Sequence, residues 1–190
     1  MIAQFIRKLA IVFIICFSSM GVHAQSVSFA LKTSPNINFN FNTIQKYTTG
    51  ITIMNACELN IDVTGTQWDL YVGSTTTAAG FWDVVSTYSL TGAPPPISIL
   101  ELQFRNGSNT SQISGFFSLQ DILTPNYIIG SLVAPDAAIA CPNIGTNQAG
   151  DYLTTPNCYK FNVDLRITPG LSYQSGLYSL RIDYILVQDL

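Results

Sequence analysis

The sequence predicts an all-β protein built as an antiparallel β-sandwich. Three observations carry this prediction. Apolar and polar residues alternate with a period of two along several runs. Clusters of Gly, Pro, Asn and Ser separate those runs. No stretch sustains a period of about 3.6 residues between helix caps.

The clearest run is Tyr159 to Thr168 (YKFNVDLRIT). Tyr159, Phe161, Val163, Leu165 and Ile167 share one face. Lys160, Asn162, Asp164, Arg166 and Thr168 share the other. Near the C-terminus, Tyr178, Leu180, Ile182, Tyr184 and Leu186 oppose Ser179, Arg181 and Asp183. Pro169 to Gly176 joins the two runs and is rich in turn residues. The two strands therefore neighbour each other or cross between sheets. Ile37 to Asn42 alternates apolar residues with Asn and predicts another strand. Further strands are expected at Val27–Lys32, Ile51–Met54, Leu59–Val63, Trp68–Val72, Ile97–Phe104, Phe116–Leu119 and Tyr127–Leu132. Gly92-Ala93-Pro94-Pro95-Pro96 reads as an extended connector within one domain. Asn106 to Ser114 reads as a polar hairpin loop. Short strands with turn signals between them fit an immunoglobulin-like sandwich, with a closed barrel as the second architecture.

The N-terminus has a different composition. Arg7 and Lys8 precede an apolar run, Leu9 to Phe17, and a small-residue stretch ending Val22-His23-Ala24. This three-part order predicts a signal peptide over 1–24, cleaved between Ala24 and Gln25. The apolar run is far shorter than the roughly 20 residues of a membrane-spanning helix. Ile14 and Ile15 stand before Cys16 where a lipidation signal places small residues, which argues against a lipid anchor.

Removal of 1–24 from the 190 residues leaves 166, read as one sandwich domain over 25–190. It also removes His23, the only histidine, together with Arg7 and Lys8. Six Lys and Arg then face eleven Asp and Glu, a formal charge of 6 − 11 = −5. Without histidine, Ser-His-Asp and Cys-His catalysis as usually built are excluded, and the commonest zinc ligand is missing. So sparse a set of cations argues against a nucleic-acid partner. No cofactor or metal site is expected, and no loop of spaced aspartates offers a calcium site.

The exported chain retains Cys57, Cys141 and Cys158. Cys141 and Cys158 flank a Gly/Asn/Thr-rich loop beside turn residues, and in an exported protein they are the expected disulfide. Cys57 falls within an apolar run and is expected to be a buried free thiol. The two Asn-x-Ser tripeptides at Asn106 and Asn109 have meaning only in a eukaryotic secretory route.

Asp62, Asp69, Asp83, Glu101, Asp121, Asp164 and Asp183 are scattered singly, unlike the paired carboxylates of a glycosidase. No catalytic residue is therefore assigned. Trp68, Tyr71, Phe81, Trp82 and Tyr88 cluster in sequence. Trp68 and Trp82 are the candidate ligand-contacting residues, as a stacking platform or adhesive patch. Core packing is the competing role, and it is favoured for Trp68 by its alternation with Asp69.

Leu59 to Val72 contains Trp68-Asp69-Leu70 after an apolar strand, and Gly176 to Leu190 contains Tyr184-Ile185-Leu186. These segments resemble the WxL domain of bacterial surface proteins, with Tyr184 in place of the second tryptophan. The resemblance implies a β-rich surface domain and attachment to peptidoglycan. The expected function is that of an exported bacterial structural or adhesion protein, of which a fimbrial subunit is the sharper version. A carbohydrate- or peptidoglycan-binding module using exposed aromatics is the alternative. Partners are then a cell-wall or surface glycan, or other surface-protein subunits, in the periplasm, at the outer surface or outside the cell. Mass spectrometry of the exported chain is expected to find Gln25 as its first residue; a chain retaining residues 1–24 contradicts the leader.

Overall fold

The computed structural model describes residues 26–33, 36–64, 68–105, 115–130 and 160–188. The expected signal peptide (with Cys16), Asn106 and Asn109, and both Cys141 and Cys158 lie outside the described residues. The elements, in order, are β1 (Ser26–Thr33), α1 (Ile44–Thr49), β2 (Ile51–Thr64), β3 (Trp68–Thr75), β4 (Asp83–Thr87), β5 (Leu100–Arg105), β6 (Phe117–Ser118), β7 (Asn126–Gly130), β8 (Lys160–Ile167), β9 (Gly176–Ser179) and β10 (Arg181–Gln188).

These strands form an all-β, antiparallel sandwich. A five-stranded sheet, β1-β2-β8-β5-β6, shares one core with a three-stranded sheet, β10-β3-β7. β4 and β9 form a separate two-stranded ribbon. Alternation explains the layers. Leu100, Leu102 and Phe104 of β5 are buried while Glu101, Gln103 and Arg105 are half-exposed. Phe161, Val163, Leu165 and Ile167 of β8 fill the same core. From the facing sheet come Trp68, Leu70, Val72 and Ile128. Each such side chain, fully buried, contributes about 1.5–3 kcal/mol relative to exposure. Phe104 binds the layers together, with its ring centroid 5.7 Å from Phe161 and 6.2 Å from Tyr184 on β10.

Three expectations are revised. Ile51–Met54 and Leu59–Val63 belong to one strand, β2, which bulges. Four residue steps on β2, Ile53 to Cys57, stand against two on β8, Leu165 to Val163. Asn55, at the bulge, has φ of 52°, a left-handed conformation that Asn tolerates better than most residues. The Asp164 carboxylate, wholly buried, accepts the Asn55 backbone N–H at 2.8 Å and is paired with the Arg105 guanidinium. Arg105 also donates to Asn55 Oδ1 at 2.8 Å. A buried charge without such partners is strongly destabilising; here three groups satisfy one another and hold the bulge.

Ile37 to Asn42 is not a strand. Its alternation is real, with Ile37, Phe39 and Phe41 packed against the core and the intervening Asn side chains exposed. The segment runs extended without joining a sheet. The C-terminal run is two strands. The chain leaves β9 at Leu180 and enters a different sheet as β10, where Tyr184 lies opposite Val72 and Leu186 opposite Leu70 of β3. β8 and β10 therefore belong to different sheets, the crossing alternative of the two expected. The short helix α1 was not signalled by periodicity. It is capped at Thr43, whose side chain accepts the Lys46 N–H at 3.3 Å, and it ends at Gly50 with φ of 80°.

Asp164→Ala is expected to cost about 3 kcal/mol in urea unfolding, since it strips charged hydrogen bonds and leaves the Asn55 N–H without its acceptor. Asn55→Ala is expected to cost more than Asn55→Gly, because Gly adopts the positive φ freely; equal losses contradict the strained bulge.

Candidate functional site

Two clefts of about 350 Å³ each open beside the ribbon. Ile37, Asn38, Phe39, Trp82 and Tyr178 line both. The extended run at 36–42 and the indole of Trp82 thus stand as a common wall.

The first cleft is rich in aromatic rings: Phe39, Phe41, Tyr47, Trp82, Tyr173 and Tyr178. Among the described residues its lining includes no Asp, Glu, Lys or Arg. Backbone bonds fix these rings. Trp82 N–H donates to Pro95 O at 3.0 Å, and Gln174 N–H to Ala93 O at 2.9 Å. The Tyr178 hydroxyl donates to Gln174 O at 2.6 Å, and burial raises its pKa. Phe41 and Tyr47 pack with ring centroids 5.3 Å apart. Gly92, at φ of 99°, lies so close to the Tyr173–Gln174 backbone that a Cβ there would come within 2.7 Å of Gln174 N. A side chain at that position would push the loop away.

The second cleft reaches the core. Cys57 and Tyr184 line it, and their Sγ and hydroxyl are 3.2 Å apart. Burial pushes the Cys57 thiol up, with the Tyr184 hydrogen bond opposing it. Burial, then the neighbouring thiol, pushes the Tyr184 phenol well above the usual range. Cys57 is buried and free, as its apolar run implies. A neutral thiol is a poor nucleophile, so this pair is not chemically poised.

The two candidate tryptophans part company. Trp68 is 0% exposed inside the sandwich. Its contact role is corrected to a core role, because the face it shares with Leu70 and Val72 is the inner face of β3. Trp82 does reach a cleft. Its indole Nε1 is buried with no hydrogen-bond acceptor among the described residues. Phe39, Phe41, Tyr173 and Tyr178 escaped the sequence reading as site residues. Three of them sit in alternating runs that resemble ordinary strand faces, and Tyr173 lies in a loop of turn residues.

The carboxylates are scattered here as well. Glu101 pairs with Arg166 at 2.7 Å and Asp183 with Arg181 at 2.8 Å, while Asp164 takes Arg105. Among the described residues no His, Cys, Asp and Glu group has metal-binding geometry.

The ribbon forms a lip of the first cleft through Gly176, Leu177 and Tyr178. Apolar side chains of the ribbon are also exposed to solvent: Val85 is 57% exposed and Leu177 51%, with Val84 exposed as well, and exposed Tyr88 and Leu90 follow just beyond β4. Asp83 is the one charge within β4 and β9, and its carboxylate accepts the Thr77 N–H at 2.7 Å.

No protein-family model matches this chain, and no curated protein sequence matches it.

The Cys57–Tyr184 pair has a pH consequence. Both groups are held neutral in the folded chain, so their folded pKa values lie above the unfolded ones. The stability they contribute is complete below the ordinary values of 9.0 and 10.0 and is lost as pH rises through the raised ones. Urea midpoints are expected to fall on the alkaline side, and Tyr184→Phe to flatten that fall; an unchanged alkaline slope in the variant contradicts the assignment.

Proposed function

We propose that this chain is an exported, non-catalytic bacterial surface protein, structural or adhesive, that assembles with further copies of itself through the β4–β9 ribbon. The ribbon carries the reading. It is a two-stranded sheet, so among the described residues each strand has one edge without a ladder partner. Edge strands of monomeric proteins are ordinarily guarded by Lys, Pro or inward charges. Here Val84, Val85 and Leu177 are exposed, and Asp83 is already engaged in a turn. Exposed apolar side chains beside open backbone groups favour pairing with another strand. Antiparallel pairing of like edges is symmetric, which suits a second copy of the same chain.

Other features support the surface reading. The N-terminal three-part pattern favours export, and the chain after Ala24 lacks histidine. The two segments that resemble the WxL pattern pair in register on β3 and β10, which favours a WxL-type, immunoglobulin-like sandwich. The expected Cys141–Cys158 bridge belongs to the same exported state.

Light scattering on the exported chain is expected to show mass above that of a monomer, rising with concentration, or fibres by electron microscopy. Val85→Lys, which plants a charge on the ribbon, is expected to return it to a monomer. A strict monomer at high concentration without fibres overturns the proposal, as does assembly that Val85→Lys leaves intact.

A further inference from the structure

The geometry points to the aromatic cleft as a binding site for a neutral sugar ring. Four observations meet there. First, a volume of about 350 Å³ falls within the range of small-molecule sites. Second, Phe39, Trp82, Tyr173 and Tyr178 supply ring faces. The π-face of an aromatic ring is electronegative, and the C–H face of a pyranose is weakly electropositive, so the two surfaces stack. Third, the described lining has amide and hydroxyl groups at Gln174 and Ser175 but no formally charged residue. Such a lining pairs with hydroxyls and offers nothing to offset the desolvation of a carboxylate or phosphate. Fourth, the Trp82 Nε1–H is a buried donor with no acceptor among the described residues. Buried donors are rarely left so; the nitrogen is closed off from the cleft, so a small turn of the indole is needed to bring it to a sugar hydroxyl oxygen.

The walls are held before any ligand arrives. The Tyr178 hydroxyl is tied to Gln174 O, and Trp82 and Gln174 are tied by their backbones to the 93–95 connector. Rings fixed in advance lose little freedom on binding, which favours the bound state. An apolar peptide is the competing occupant. It is disfavoured because the cleft combines aromatic rings with hydroxyl and amide groups, and because an extended peptide would seek the open edges of the ribbon instead.

The cleft shares β9 with the proposed assembly surface, through Gly176, Leu177 and Tyr178, but Val85 on β4 does not line it. The exported chain is titrated with N,N′-diacetylchitobiose, cellobiose and maltose, following tryptophan fluorescence and heat of binding. At least one of these neutral probes is expected to bind and to shift the emission. Trp82→Ala and Tyr173→Ala are each expected to weaken that binding by about tenfold or more, the scale of one lost stacking contact. Val85→Lys is expected to leave it unchanged, so a failure of assembly and a failure of sugar binding are told apart. If Trp82→Ala does not fold, Tyr173→Ala and saturation transfer from the sugar to the Trp82 ring decide the matter. Absence of binding by all three probes at millimolar concentration overturns the site. So does binding that survives both variants, or displacement of the sugar by an apolar peptide that binds more tightly.

Discussion

One buried carboxylate governs how the larger sheet is laid out. Asp164 sits on the face of β8 that is turned away from the core, yet it is wholly buried. Arg105 from β5 and the Asn55 backbone from β2 close around it. Three adjacent strands thus meet at one charge. The pairing lets β2 absorb its extra residues at Asn55 and remain on β8 from Ile51 to Asn60. Without that absorption, a continuous ladder from Cys57 would set Ile53, not Ile51, opposite Ile167.

The consequences reach the clefts. Because Ile51 pairs with Ile167 at the end of β8, Gly50 and α1 are brought against the Pro169–Gly170 turn. The Gly170 N–H then donates to Tyr47 O at 2.9 Å. Tyr47, Ile167 and Gly170 all line the aromatic cleft. A sheet-register constraint at Asn55 therefore shapes a surface some distance along the chain. On the opposite side of the common wall, Cys57 follows the same bulge and is carried inward to Tyr184.

Much of the sandwich was legible. In β5 and β8 the alternating residues are the buried and exposed residues, because each strand has one face on the core. Alternation reports a face, not a ladder. Ile37, Phe39 and Phe41 point inward just as a strand would, while their backbone joins no sheet. Nor does alternation report a change of sheet. Leu180 keeps its place in the apolar face, so the step from β9 to β10 leaves no mark in the pattern. β4 was missed because Val84 and Val85 are both exposed, and two adjacent apolar residues break a period of two. The cleft was legible only through Trp82. Its neighbours come from separate stretches around residues 39, 47 and 173–178, and nothing local links them.

By itself the sequence determined the class of the protein: strands, an acidic chain poor in charge, and no histidine after His23. Those properties follow from side-chain period and composition, which are local or additive. Tertiary structure alone decided that Trp82 meets a cleft. Trp68 lies between Gln67 and Asp69, an alternation that favours the core, whereas Trp82 directly follows Phe81. Only the departure of the chain into the ribbon at Asp83, and the arrival of Phe39 and Tyr173 beside it, set the exposure of Trp82. Burial depends on what arrives from elsewhere in the chain, and pairwise sequence spacing carries no record of it.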